Sequence, residues 1–170
     1  MFSAEIESLS SDYNTVRGRY ARRGCNAVLG DARCQVDLEQ AQFAGAGTVA
    51  GLAGNNAFLA SGLDGFAAGW FGDGTLHWLT GANAGADTVV AGHRNAHGVV
   101  TLMFAAPPRH AIAEGDSFTI RAGCDRSFET CRKKFANGLN FQGFPHIPGN
   151  DSAYSYVSGD AVFDGGPVVP

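Results

Sequence analysis

The sequence predicts a mainly β protein: a small antiparallel β-barrel flanked by a four-cysteine module with one or two short helices. Three observations carry that expectation. Six short apolar runs between Thr48 and Gly123 are each bounded by Gly, Asn, Asp or Pro, as strands joined by turns are. Glycine makes up 24 of 170 residues, about twice average usage, which favours strands and turns over long helices. The four cysteines form two pairs, Cys25 with Cys34 and Cys124 with Cys131, one on each side of the strand-rich segment. A chain of this length forms one domain with a core of its own.

In chain order, residues 1–40 open with "FSAEIESL", a short alternating strand, and run into "GCNAVLGDARCQVDL", where turn residues and the first cysteine pair interleave. Residues 41–122 form the barrel. Its strands are "TVAGLA", "NAFLA", "TLHWL", "DTVVAGH", "GVVTLMF" and "SFTIRAG", and closure is expected because it removes exposed edges. "SGLDGFAAGWF" interrupts them as a helical turn that carries Trp70 into the core. "FAAPPRHAIAEGD" is the loop before the last strand, with Pro107 and Pro108 ending the one before it. Residues 123–156 hold the second cysteine pair and an aromatic tail, and are expected to pack with residues 1–40. Within them "SFETCRKKFANG" predicts a helix of two to three turns, with Ser127 as N-cap, Lys133 and Lys134 at the C-terminal dipole and Gly138 as the stop. Residues 157–170, "SGDAVFDGGPVVP" with the serine's neighbour, read as a C-terminal tail.

Charge excludes several function classes. The net charge is −4, and the one dense basic run, Cys131 to Lys134, reads as a solvated helix face rather than a nucleic-acid footprint. No apolar stretch approaches the roughly 20 residues of a membrane span. "MFSAEIESLSSDY" lacks the basic and apolar regions of a signal peptide, so synthesis in a reducing cytoplasm is expected. In that compartment disulfides are rare, and metal ligation moves ahead of them as the use of four cysteines.

The spacings are C-x8-C and C-x6-C. Structural zinc usually takes thiolates from tighter C-x2-4-C knuckles, whereas an iron–sulfur cluster accepts thiolates standing further apart. A barrel that returns the chain near its starting point would bring both pairs to one site. Across a continuous helix Cys124 and Cys131 would be roughly 10 Å apart, so Cys124 must precede the helix and fold back through the Asp125-Arg126-Ser127 turn. A [4Fe-4S] cluster leads; zinc, disulfides and unliganded core thiols remain open.

Other signals are weaker. His93 and His97 lie four apart, but Gly92, Asn95 and Gly98 around them predict a hairpin with surface histidines. His77 is expected on the outward side of a strand, and His146 beside the second cysteine pair without ligating. Asp31, Asp37 and Asp125 read as turn and capping residues. "GAGTVAG" has the wrong glycine spacing for a dinucleotide loop and reads as the start of a strand. Asn150-Asp151-Ser152 is a glycosylation sequon, empty without secretion. No catalytic constellation stands out, so no catalytic residue is assigned.

"GRYARRGCNAVLGDARCQVDL", "FAAGWFGDGTLHWLTGANAG" and "GDSFTIRAGCDRSFETCRKKFANGLNFQGFPHIPGND", in this order, resemble the C-terminal part of the tail-tip hub proteins of long-tailed bacteriophages and gene transfer agents. The resemblance runs from about Phe2 to Asp151, and its most specific element is Gly123 to Asp151. It implies a non-enzymatic baseplate subunit between the distal tail ring and the central spike or fibre. It also implies a homo-oligomeric ring such as a trimer, a role in DNA delivery, and a structural [4Fe-4S] cluster on Cys25, Cys34, Cys124 and Cys131. The implied location is the tail tip of a virion or gene-transfer particle assembled in the host bacterial cytoplasm, without sequence-specific nucleic-acid binding or stable membrane anchoring. Such hubs usually carry another half before the first cysteine pair, so "FSAEIESL" would be the end of that preceding domain. An iron–sulfur electron carrier and a zinc-stabilised binding module are the competing functions.

Overall fold

A computed structural model of the chain describes residues 21–147 apart from His97. The opening strand "FSAEIESL", His97, the sequon at 150–152 and the tail at 157–170 lie outside the described residues.

Alternating apolar and polar side chains build six strands: β1 (Ala44–Leu52), β2 (Ala57–Ser61), β3 (Thr75–Trp78), β4 (Asp87–Ala96), β5 (Val99–Phe104) and β6 (Ser117–Arg121). They close into a barrel in the order β1-β2-β5-β4-β3-β6, and every pairing is antiparallel. Each of the six predicted runs is therefore a strand. A barrel this small has an interior filled by side chains. Here the filling is aromatic: Trp78, Phe58, Phe104 and Phe118 are buried, with Phe58 5.7 Å from Trp78 and 5.4 Å from Phe118 between ring centroids. Val49, Ala60, Leu76, Val90, Val100, Leu102 and Ile120 from the strands, with Leu63, Phe71 and Ile112, complete the core.

β1 starts at Ala44, one residue before the "GAGTVAG" stretch that reads as the start of a strand, and its glycines face crowded neighbours. A Cβ on Gly47 would stand 2.4 Å from the Ser61 carbonyl oxygen and 3.0 Å from Phe118. The loop before β6 is held by Asn83, whose amide donates to the His110 carbonyl at 2.9 Å and accepts from its N–H at 3.0 Å.

Two expectations are corrected. The segment after β2 forms turns, and Leu63 and Phe71 are its fully buried residues; Trp70 is half-buried and bridges the barrel core to a second apolar cluster. His93 is not a surface histidine. It lies on β4, 4% exposed, with its ring edge-on to Phe71 at 5.2 Å. The cause is a β-bulge between Val90 and Gly92, which shifts the alternation by one residue and turns His93 inward.

Burial pushes the His93 pKa below the ordinary value. The unfolded chain therefore takes up a proton that the folded chain resists. This contribution to stability is complete above about pH 6.5 and is lost as the pH falls below it toward the lower folded value. Urea midpoints should fall between about pH 7.5 and about pH 5.5, and His93→Phe should flatten that slope. An unchanged slope in the variant would assign the pH dependence to other groups.

A candidate four-cysteine centre

A short helix, α1 (Phe128–Lys133), follows β6. Ser127 caps it, accepting from the Thr130 N–H at 3.1 Å, as predicted. The helix is shorter than expected. Ala136, at φ 50°, takes the left-handed conformation assigned to Gly138, and Gly138–Asn140 forms a separate 3-10 turn. Cys124 lies before α1 and Cys131 within it, with the chain reversing through Arg126 at φ 63°.

Local hydrogen bonds shape both cysteine loops. The Asp31 carboxylate accepts from the backbone N–H groups of Val28 at 3.1 Å, Arg33 at 2.9 Å and Cys34 at 2.7 Å, folding the first loop around itself. The Cys34 N–H, with the other two, holds the Asp31 pKa below its usual value. The Asp125 carboxylate accepts from Ser127 N–H at 2.9 Å and the Asp37 carboxylate from Glu39 N–H at 3.0 Å. All three aspartates are turn residues, as the sequence suggested.

The loops then meet beside the barrel. Cys25 N–H donates to the Arg126 carbonyl at 2.9 Å, Asn26 N–H to Gln142 at 3.3 Å and Ala122 N–H to Phe43 at 2.7 Å. Ala27, Val36, Phe43, Ala122 and Phe135 form an apolar cluster with buried Cys34, and Cys25 and Cys124 pack on it; Cys131 is buried as well. Cys25, Cys34, Cys124 and Cys131 all line one cavity of about 590 Å³, together with the outward faces of β3 and β6. The convergence of the pairs follows from the barrel between them, since β1 and β6 are paired neighbours.

All four cysteines are free thiols. Among the described residues, no three His, Cys, Asp or Glu side chains gather closely enough for a single metal ion. The four cysteines share the wall of one cavity instead. Three accept N–H groups: Cys25 from Gln142 N–H at 3.4 Å, Cys124 from Arg126 N–H at 3.4 Å, and Cys34 from the Asn137 amide at 3.8 Å. Such donors stabilise thiolate more than thiol. Cys131 instead donates to the Asn137 carbonyl at 3.3 Å. Burial pushes its pKa up to about 11, and Cys124, Cys25 and Cys34 push the same way. Burial also raises Cys124, against the Arg126 N–H that lowers it.

Asn137 was not singled out in the sequence. Its amide donates to the Cys34 carbonyl and its N–H to the Cys131 carbonyl at 3.0 Å, so one residue joins both pairs. His146 packs edge-on against Phe128 at 6.2 Å and does not line the cavity. His77 faces outward, as expected, and bonds Asp87 at 2.6 Å at the cavity's barrel side.

The second cysteine loop and four of the strands fall in a segment with known relatives. Residues 69–151 match the family of phage conserved hypothetical protein BR0599. The BR0599 match takes in β3 to β6, Cys124 and Cys131. A chain of the virion of a native gene transfer agent particle is similar over nearly the whole sequence: 37% identity across 94% of this chain, with a TM-score of 0.72. This chain spans 55% of that one, about half its length. No curated protein matches.

Proposed function

We propose that this chain is a structural hub or baseplate subunit of a phage-like tail tip. It links the distal tail ring to the central spike or fibre, and its four cysteines hold a [4Fe-4S] cluster. The observation that carries the virion role is the 37% identity to a gene transfer agent virion chain across 94% of this one. Support for the cluster is the shared cavity: Cys25, Cys34, Cys124 and Cys131 line a space of about 590 Å³ rather than converging on a point. A cluster fits thiolates spread around such a space, whereas zinc would require the walls to close to a tetrahedron with sulfurs about 2.3 Å from the metal.

When bound, the cluster would supply a covalent tie between the two cysteine loops. Cys131 would lose a strongly held proton on ligation, so loading should release protons and weaken on acidification. The role is mechanical: residues on both sides of the barrel are locked together where the chain has only a small second apolar cluster. Assembly as a ring around the tail axis and a contribution to DNA delivery belong to the same proposal.

The test is metal and acid-labile sulfide analysis of particles or protein prepared without oxygen. About four iron and four sulfide per chain are expected. Cys131→Ser should lose the visible absorption and, with it, incorporation into tails. Zinc at one per chain would replace the cluster with a zinc-stabilised module, and infectious or DNA-delivering particles from Cys131→Ser would sink the structural role.

A further inference from the structure

Lys134 follows the last helical residue of α1, the helix that carries Cys131. Its neighbours Arg132 and Lys133 are exposed, yet Lys134 is half-buried. Its ammonium donates to the carbonyl of Trp70 and, at 2.7 Å, to that of Gly123. It also sits 5.1 Å from the Trp70 ring centroid and 5.3 Å from that of Phe135. Gly123 directly precedes Cys124, and Phe135 lines the cavity with the four cysteines.

This environment holds a cation with no carboxylate in direct contact. Both hydrogen-bond acceptors are carbonyls, and among the described residues the ion pairs leave Lys134 out. Of the negative groups near enough to favour the ammonium, the Cys124 thiolate comes first, ahead of the Asp125 and Asp73 carboxylates, and none of them forms an ion pair with it. Drawing a cation part-way out of water without a contacting counter-charge is unfavourable. Four thiolates around a cluster would carry net negative charge; Cys124 directly follows the Gly123 whose carbonyl the ammonium contacts, and Phe135 lines the cavity with all four.

We propose that Lys134 is the counter-cation of the four-cysteine site, offsetting the negative charge of a thiolate-bound cluster and raising its reduction potential. The inference rests on the cluster reading above. Reduction adds an electron to a site that is already negative, so a fixed cation stabilises the reduced form more than the oxidised one. Arg126 also lines the cavity but is exposed, and water screens its charge. Lys134 is a positioning charge, held in place by two carbonyls and two rings.

The experiment compares the full wild-type chain with Lys134→Met, Lys134→Gln and Lys134→Arg, all prepared without oxygen. Iron and sulfide content, near-ultraviolet circular dichroism of the barrel and a potentiometric titration are measured on each. Lys134→Met and Lys134→Gln should keep the barrel signal and show a more negative midpoint potential, with Lys134→Arg close to wild type. Folded Met and Gln variants that load no cluster, beside a fully loaded Arg variant, would equally support the charge. An unmoved potential in Met and Gln, or an Arg variant shifted as far as Met, overturns the assignment. Loss of the barrel signal in both Met and Gln also overturns it, making Lys134 a fold residue. Wild-type protein without iron and sulfide removes the cluster reading and this inference together, whereas a normal wild-type cluster with an unmoved variant potential removes the inference alone.

Discussion

Trp78→Ala is expected to lower the unfolding free energy by about 4 kcal/mol, the range for a buried aromatic cut to alanine. Trp78 is fully buried, and its ring lies 5.7 Å from Phe58, 6.2 Å from Phe104 and 6.0 Å from Phe118. Those neighbours come from three different strands, so the cavity left behind is walled by elements fixed in a closed barrel and has little freedom to collapse. The substitution also removes the donor that satisfies Thr88 Oγ1 at 3.1 Å. Domains of this kind are stable by only about 5–15 kcal/mol, so the loss is a large share of the total. Urea unfolding followed by near-ultraviolet circular dichroism reads it; a change below about 1 kcal/mol would mean that the ring is not the centre of the core.

Gly123→Ala should damage the junction and the cysteine site together. A Cβ at that position would stand 2.1 Å from the backbone carbon of Asp73, 2.1 Å from the Gly72 oxygen and 2.1 Å from the Gly74 nitrogen. All three are main-chain atoms, so relief requires the β6 exit and the turn before β3 to move apart. The expected cost is about 3 kcal/mol, the upper end for overpacking. Cys124 is the next residue and would move with the strand. If the proposed cluster is bound, iron per chain should drop more steeply than stability alone explains; a variant with wild-type stability would disprove the close approach. Gly74→Ala offers a control on the barrel side, since its Cβ would meet the Arg121 oxygen at 2.2 Å without displacing a cysteine directly.

The barrel was legible because each strand announces itself twice, through period-two alternation and through turn residues at both ends. Where one of those signals is missing, the sequence misleads. "AGAG" at the start of β1 has little to alternate, so the strand reads as starting one residue late, at Gly45. Around His93, Gly92 and Asn95 imitate a turn while the bulge displaces the inward positions by one. Gly138 looked like the helix stop, but Ala136 adopts the left-handed conformation because the Asn137 N–H is drawn to the Cys131 carbonyl.

At the site, the meeting of the four cysteines could be reasoned from spacing and closure, and Asp31, Asp125 and Ser127 from ordinary turn and capping chemistry. Asn137 and Lys134 could not. Both act on main-chain carbonyls contributed by distant parts of the chain, and a carbonyl leaves no trace in residue identity. Phe71 was missed for a related reason: two adjacent aromatics in "GWF" carry the same hydrophobic signal, and only the turn's geometry decides which one faces the interior.

The antiparallel pairing of β1 with β6 has a kinetic meaning as well. Cys34 and Cys124 are separated by the whole barrel, and contacts of such long sequence separation form slowly because the chain between them must be ordered first. Until the first and last strands zip together, the chain holds two unconnected half-sites, each with two thiols. Uptake of the proposed cluster would thereby come after barrel closure in the order of maturation, and a loaded centre would certify that the last seam has closed.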